Sequence, residues 1–282
     1  MKNQYVGDIN DYVKYGILRC FAETGCCLGV WWMLTPSDGR QDGSKTAYLM
    51  QRDRYSHHDP ALYSLLQRLV HGDRRDVSHI ASSGLLGQAS FFDELVPAGI
   101  ASRRAWVERG LKQLAGADLV FFDPDNGLSV KSVSKGSSNA EKFLFDDEVS
   151  AAWSEGQSAL VFQHYPREKL DSYIARQLER LQYLTPGGRV SALRGANVVY
   201  LLAVQDAHLV KSRRAMAMIA VRWMPLCEIG TENHLVTFAA GPGPISKSTI
   251  SGAWSLRRLS VAASPATETS PTDPPSNGSQ KT

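Results

Sequence analysis

Near-continuous apolar runs occur at four places in the chain, and each one ends in polar or turn-forming residues. They cover residues 28–34, 117–122, 158–163 and 197–204. A strand that is buried on both faces of a parallel sheet shows this kind of run, because neither face has to meet water. The pattern therefore predicts four central strands, and a shorter apolar segment at residues 76–80 predicts a fifth.

Stretches with helical periodicity lie between these runs. In residues 61–70 the leucines at positions 62, 65, 66 and 69 share one helical face, and residues 102–114 and 167–181 also show amphipathic patterns. Strands that alternate with helices predict a doubly wound α/β fold with a mostly parallel, Rossmann-like sheet. Residues 190–193 and 197–204, with a short turn between them, predict a C-terminal antiparallel hairpin that closes the sheet.

The 282 residues are enough for one large α/β domain, and we assign residues 1–263 to a single catalytic domain. Residues 264–282 are dominated by Pro, Ser and Thr and have almost no large apolar side chains. Such a segment buries too little surface to offset the entropy cost of ordering. It is predicted to be a disordered tail.

Composition narrows the class of protein. Hydrophobic residues make up 43% of the chain and charged residues 21%, which is ordinary for a globular protein. No apolar run reaches the ~18 residues of a membrane span, and the first residues lead into no signal core, so a cytoplasmic protein without a membrane partner is expected.

The net charge of +3 permits a nucleic-acid or nucleotide substrate without arguing for one. The four cysteines lack zinc-site spacing, and the oligomeric state is left open.

Polar side chains collect where three of the predicted strands end. Ligands of an open α/β sheet bind outside the carboxyl ends of its strands, so these ends should form one site. Asp-Gly and Asn-Gly are also ordinary turn sequences, and His164 fits a structural role equally well. The candidate catalytic residues are Asp123, Pro124, Asp125, Asn126 and His164, and the first strand adds Asp38, Gly39 and Arg40.

The N-terminal segment is dense in Asp, Asn, Lys and Tyr before a helical stretch. Asp8 is expected to cap that helix, because its carboxylate can accept from first-turn N–H groups. Lys14 and Tyr15 are instead assigned to function.

Two elements of the chain resemble the bacterial 23S ribosomal RNA adenine-N6 methyltransferase family. Residues 7–15, Gly-Asp-Ile-Asn-Asp-Tyr-Val-Lys-Tyr, resemble that family's N-terminal Gly-Asn-x-x-Asp-x-x-Lys-His segment. Residues 119–126 lie where the family has a strand ending in Asp-Pro-Pro-Tyr, and residues 160–166 are similar to its next strand, which ends in Trp-Tyr-Pro. The chain as a whole also resembles an uncharacterised family of bacterial and phage proteins that share a Phe-Asp-Pro-Asp-Asn-Gly motif.

The methyltransferase resemblance implies a methyltransferase-type sheet and S-adenosylmethionine as cofactor. It implies that Asp123 accepts a hydrogen bond from the amino group of a flipped or single-stranded base, and that Pro124 fixes the loop. Lys14 and Tyr15 would lie near the cofactor, together with Asp38, Gly39 and Arg40 after the first strand. In this chain Pro-Ser-Asp-Gly stands where a glycine-rich turn would follow that strand, and Asn126 replaces the family's aromatic residue.

Two other interpretations remain open. Asp123 and Asp125, with Asp38, could hold Mg²⁺ or Mn²⁺, because these ions prefer carboxylate ligands. The protein would then be a divalent-metal-dependent phosphodiesterase, nuclease or phosphatase. It could also be a catalytically inactive α/β module that binds a nucleotide or a partner. We place methyl transfer first, since the order of the motifs, the fold and the hairpin agree with it.

Overall fold

The centre of the protein is a seven-stranded sheet, seen in a computed structural model that describes residues 1–37, 42–224 and 226–230. The strands, which include a separate short pair, are β1 (Leu28–Trp32), β2 (Ser90–Phe92), β3 (Leu119–Asp123), β4 (Gly127–Leu128), β5 (Phe143–Leu144), β6 (Ser158–His164), β7 (Arg189–Arg194), β8 (Val198–Val204) and β9 (Glu228–Gly230). The order across the main sheet is β2-β1-β3-β6-β8-β7-β9, and β4 pairs with β5.

Five of the seven strands run in one direction. β2, β1, β3 and β6 are parallel neighbours, whereas β8 is antiparallel to both β6 and β7, and β9 is antiparallel to β7. The predicted mostly parallel α/β sheet is therefore confirmed. The antiparallel hairpin is also present, but it does not close the sheet, because β8 lies inside it and β9 adds an outer strand.

The helices are α1 (Ile9–Glu23), α2 (Arg52–Tyr55), α3 (Pro60–His71), α4 (Val77–Ala81), α5 (Ile100–Gln113), α6 (Asp146–Ser154), α7 (Leu170–Leu184) and α8 (Leu209–Arg222). Successive strand residues point to opposite faces, and β1 shows how both faces are covered. Trp32 belongs to the core that contains α1, α3 and α8, whereas Trp31 packs against Trp106 of α5 and Phe122 of β3. None of the described helices is both long and apolar enough to cross a bilayer.

The prediction of a strand at residues 76–80 is wrong, because this segment forms helix α4. The Asp76 carboxylate accepts a hydrogen bond from the Ser78 N–H at 2.9 Å, which caps the helix. Val77 and Ile80 are both buried, and residues three apart share one face of a helix, whereas in a strand they would point to opposite faces.

Helix α1 carries side chains to the carboxyl edge of the sheet and is fixed at both its start and its middle. The Asp8 carboxylate accepts from the Asn10 N–H at 2.9 Å and from the Lys45 N–H at 3.0 Å, as the expected cap. Gly16 lets α1 approach α8, since a Cβ there would lie 1.8 Å from the ring of Trp223.

The predicted tail and the C-terminal part of the assigned domain, residues 231–282, lie outside the described residues.

Candidate functional site

The sheet has a topological switch point between β1 and β3. The neighbour of β1 on one side is β2, and β3 leads to β6 on the other side. Trp32 at the end of β1 pairs with Asp123 at the end of β3, so the residues that follow both strands meet at one edge. Ligands of open α/β sheets bind in the crevice at such a point. The edge between β1 and β3 is thus where a site is expected.

Asp123 is buried at this edge and is paired with a lysine of α1. Lys14 Nζ lies 2.8 Å from Asp123 Oδ2 and 2.7 Å from Asp11 Oδ1. The three side chains are only 1–3% exposed. A buried carboxylate needs such a partner, because an unpaired charge in the protein interior is strongly unfavourable.

Asp125 has a different cation. One of its carboxylate oxygens forms an ion pair with the α-ammonium group of Met1, and the other accepts a hydrogen bond from Thr35 Oγ1 at 2.7 Å. Met1 is held in place by two backbone hydrogen bonds, from its ammonium to the Met33 carbonyl and from the Thr35 N–H to its own carbonyl, both at 2.9 Å. The N-terminal residue therefore lies across the end of β1 and against the turn after β3.

We call Asp11, Lys14, Asp123, Asp125 and the Met1 ammonium the acid cluster. When all five groups are ionised it holds one negative charge in excess. Burial raises the pKa of Asp11 to about 7; the charge of Asp123 adds to this, while Lys14 opposes it. Burial also acts to lower the pKa of Lys14, but the two carboxylates outweigh it and the pKa is raised. Lys14 therefore stays charged at neutral pH, while Asp11 titrates in the neutral range.

Several buried polar atoms in and around the acid cluster have no hydrogen-bond partner within the described part of the chain. These include Asp11 Oδ2, the Tyr15 hydroxyl and Trp32 Nε1. The pKa of Tyr15 is raised well above its ordinary value, by burial first and then by the charges of Asp11 and Asp123. Tyr15 therefore remains a neutral hydrogen-bonding group next to the acids.

Two of the predicted catalytic residues are exposed beside the acid cluster. Asn126 and His164 both reach the surface, and the His164 N–H bonds to the Asn126 carbonyl at 3.3 Å. The pKa of His164 is below its ordinary value, mainly because the surrounding protein desolvates the ring and also because Lys14 is positive. Its imidazole is neutral at pH 7 and can accept a proton.

Gln163 connects the ends of β3 and β6. Its side-chain oxygen accepts from the Leu128 N–H at 2.7 Å, and its amide donates to the carbonyls of Asn126 and His164. Gly127 has a φ of +112°, and a Cβ there would lie 2.3 Å from the Gln163 side chain. The positive φ and the close approach of Gln163 both favour glycine at this position.

The structure thus brings together Asp123, Asp125, Asn126, His164 and Lys14, while Pro124 and Tyr15 are buried next to them. Asp38, Gly39 and Arg40 lie outside the described residues, so their assignment to the cofactor or to a metal stays a prediction. Sequence reasoning missed Asp11, Thr35 and the Met1 ammonium. Asp11 lies three residues before Lys14, and that i,i+3 spacing is the one signal that could have identified it.

A divalent metal ion needs several oxygen or nitrogen ligands placed around one point. In the part of the chain that is described, no group of three or more His, Cys, Asp and Glu side chains is placed to hold a metal. The carboxylates of Asp123 and Asp125 each face an internal cation instead.

All four cysteines are free thiols, and three of them are buried. No protein-family model, no curated protein and no solved structure matches this chain.

Proposed function

We propose that the chain is an S-adenosylmethionine-dependent methyltransferase-like enzyme that acts on the amino group of a nucleic-acid or nucleotide base. The observation that carries this proposal is the position of Asp123, the last residue of β3 at the switch point, with Asn126 and His164 exposed beside it. The arrangement of the motif-bearing strands and the hairpin β7–β8 also agrees with the resemblance to adenine-N6 methyltransferases.

The residues present suit the electrostatics of such a reaction. The cofactor would supply a methyl group on a positively charged sulfur, and the acid cluster, which has three carboxylates and two cations when fully ionised, would attract that cation. Asp123 is the acceptor for the target amino group. His164, neutral at pH 7, lies at the surface where it can take up a proton as the amine loses one.

The proposal places one requirement on the structure. Asp123 is 1% exposed and already accepts a hydrogen bond from Lys14. The Lys14–Asp123 contact must therefore open when the substrate binds. Asp11 is the other partner of Lys14, and it can keep its ion pair with the lysine while the Lys14–Asp123 contact is open.

The same closed arrangement favours a second candidate, the catalytically inactive α/β binding module. Carboxylates that are already satisfied by internal cations need no ligand. In that case the acid cluster would serve only to hold the N-terminal segment and α1 against the sheet.

Isothermal titration of the full chain with S-adenosylmethionine, and separately with Mn²⁺, tests the proposal. Asp123→Asn keeps the shape of the side chain but removes a negative charge near the cationic cofactor, which should lower the affinity for S-adenosylmethionine roughly tenfold, a loss of about 1.4 kcal/mol. Asp53→Asn, at an exposed aspartate of α2, is the matched control.

Binding of S-adenosylmethionine that Asp123→Asn weakens and Asp53→Asn leaves unchanged supports the proposal. Binding of Mn²⁺ alone, lost in Asp125→Asn, would instead identify a metal-dependent enzyme. Binding of neither ligand, with circular dichroism showing a folded chain, favours the inactive module.

A further inference from the structure

A groove of about 250 Å³ lies at the same edge of the sheet as His164. The N-terminal turn of α1 forms one wall, and the β7–β8 turn with the start of β9 forms the other. We call it the edge groove. Its lining residues are Ile9, Asn10, Val13, Arg194, Gly195, Ala196, Val198, Leu226 and Glu228.

The edge groove is continuous with the candidate site. Val198, in its wall, is the partner of His164 in the β6–β8 pairing. The Tyr165 hydroxyl donates to the carbonyl of Ala196 at 2.5 Å. On α1, Asn10 and Val13 line the groove, while Asp11 and Lys14 belong to the acid cluster. The first turns of α1 therefore contribute side chains both to the edge groove and to the acid cluster.

Three polar side chains of the edge groove have no side-chain partner among the described residues. Arg194 and Glu228 are opposite each other in the β7–β9 pairing, yet they form no ion pair. The guanidinium of Arg194, which is half-buried, makes no hydrogen bond to any described residue, and the same holds for the side-chain amide of Asn10. These partly exposed groups can exchange bound water for a ligand. A guanidinium, a carboxylate and an amide in one groove are available to a ligand with both donors and acceptors.

The chemistry of the lining selects a particular kind of ligand. Cross-strand neighbours have Cβ atoms about 5 Å apart, so Arg194 and Glu228 present donors and acceptors side by side. Guanine carries acceptors, O6 and N7, next to donors at N1 and N2. Arginine pairs with O6 and N7 as the commonest specific contact to this base. The apolar side chains of Ile9, Val13 and Leu226 suit the faces of a flat ring.

We propose that the edge groove binds a guanine base, with Arg194 donating to its O6 and N7 and Glu228 accepting from N1–H and the N2 amino group. The guanine belongs to a free nucleotide or to single-stranded RNA, because both present the same base edge. The role of this base as part of a substrate rests on the proposed function, and its binding is independent of it.

The full chain is titrated with GMP, AMP, CMP and UMP, and with two five-nucleotide RNAs that differ only in one central G or A. Preference for GMP, weakened about tenfold or more by Arg194→Met and by Glu228→Gln, is the expected result. Inosine monophosphate, which lacks the N2 amino group, should bind more weakly than GMP to the wild type and equally in Glu228→Gln. Arg104→Met, at an exposed arginine of α5, is the control.

Equal binding of all four nucleotides overturns the assignment, and so does GMP binding that neither groove variant weakens. Tighter binding of the G-containing RNA than of GMP identifies RNA as the source, and equal binding identifies the nucleotide. Binding of S-adenosylmethionine without any guanine probe overturns the groove assignment and leaves the proposed function standing. GMP binding without S-adenosylmethionine supports the groove and counts against methyl transfer.

Discussion

Substitution of Lys14 by methionine tests how the acid cluster is held together. Methionine keeps the length and most of the volume of lysine but removes the charge. In the wild type, Lys14 Nζ lies within 2.8 Å of two carboxylates, and the side chains involved are at most 3% exposed. Removing one member of a buried ion pair costs about 3–5 kcal/mol, because the remaining charge is left without compensation.

The loss acts on Asp11 through its pKa. That pKa is already about 7 and the charge of Lys14 opposes a further rise, so Asp11 takes up a proton when Lys14 is gone. In the wild type the raised pKa of Asp11 lowers stability as the pH rises from about 4 to 7, and the effect ends there. In Lys14→Met the pKa of Asp11 is higher, so stability continues to fall above pH 7, by up to about 1.4 kcal/mol per pH unit.

Urea unfolding, followed by tryptophan fluorescence and far-UV circular dichroism at pH 6, 7 and 8.5, measures both effects. The double variant Lys14→Met/Asp123→Asn should recover part of the lost stability, because the unpaired charge is removed. Arg104→Met breaks an ion pair whose side chains are 84% and 65% exposed, and it should change little. A loss below about 1 kcal/mol in Lys14→Met, or a loss that is the same at pH 6 and 8.5, would refute this account of the cluster.

Three further predictions concern α1. Asp11→Asn should remove the fall in stability between about pH 4 and 7, which urea unfolding across that range would show. Gly16→Ala should destabilise the protein by about 1–3 kcal/mol or more, because its Cβ would overlap the Trp223 ring, whereas Gly136→Ala has room; thermal unfolding compares them. Asp8→Ala should cost about 0.5–2 kcal/mol through loss of the helix cap, measured by urea unfolding.

The strands that sequence reasoning identified are those with burial on both faces. In β1, β3, β6 and β8 every residue or nearly every residue is buried, so the apolar pattern is continuous. β2 and β9 have three residues each and lie at the edges of the sheet, so they show no such pattern. In segment 76–80 the strand prediction rested on the apolar residues and did not take Asp76 into account as a helix cap.

The candidate site could be predicted in its location but not in its pairing. The rule that ligands bind at the carboxyl ends of strands predicted that Asp123 and His164 lie at the same edge of the sheet, as the structure shows. Which cation each carboxylate contacts depends on tertiary closure: Lys14 is 109 residues from Asp123 in the chain, and the partner of Asp125 is a main-chain ammonium group. The assignment of Lys14 to the cofactor stays a prediction; its pairing with two buried carboxylates follows from its burial, which the sequence does not indicate.

A carboxylate at the end of a strand can therefore have either of two roles. It can pair with a cation of the protein itself, or it can bind a ligand. With all its groups ionised the acid cluster has three carboxylates and two cations, and Asp11, whose pKa is raised to about 7, balances the charge when it takes up a proton. A cationic ligand that binds beside Asp11 lowers its pKa and releases that proton. Titrations of S-adenosylmethionine in two buffers of different ionisation enthalpy at pH 7 should show proton release, which Asp11→Asn abolishes. Binding heats that are the same in both buffers would mean that the acid cluster holds the fold together and takes no part in ligand binding.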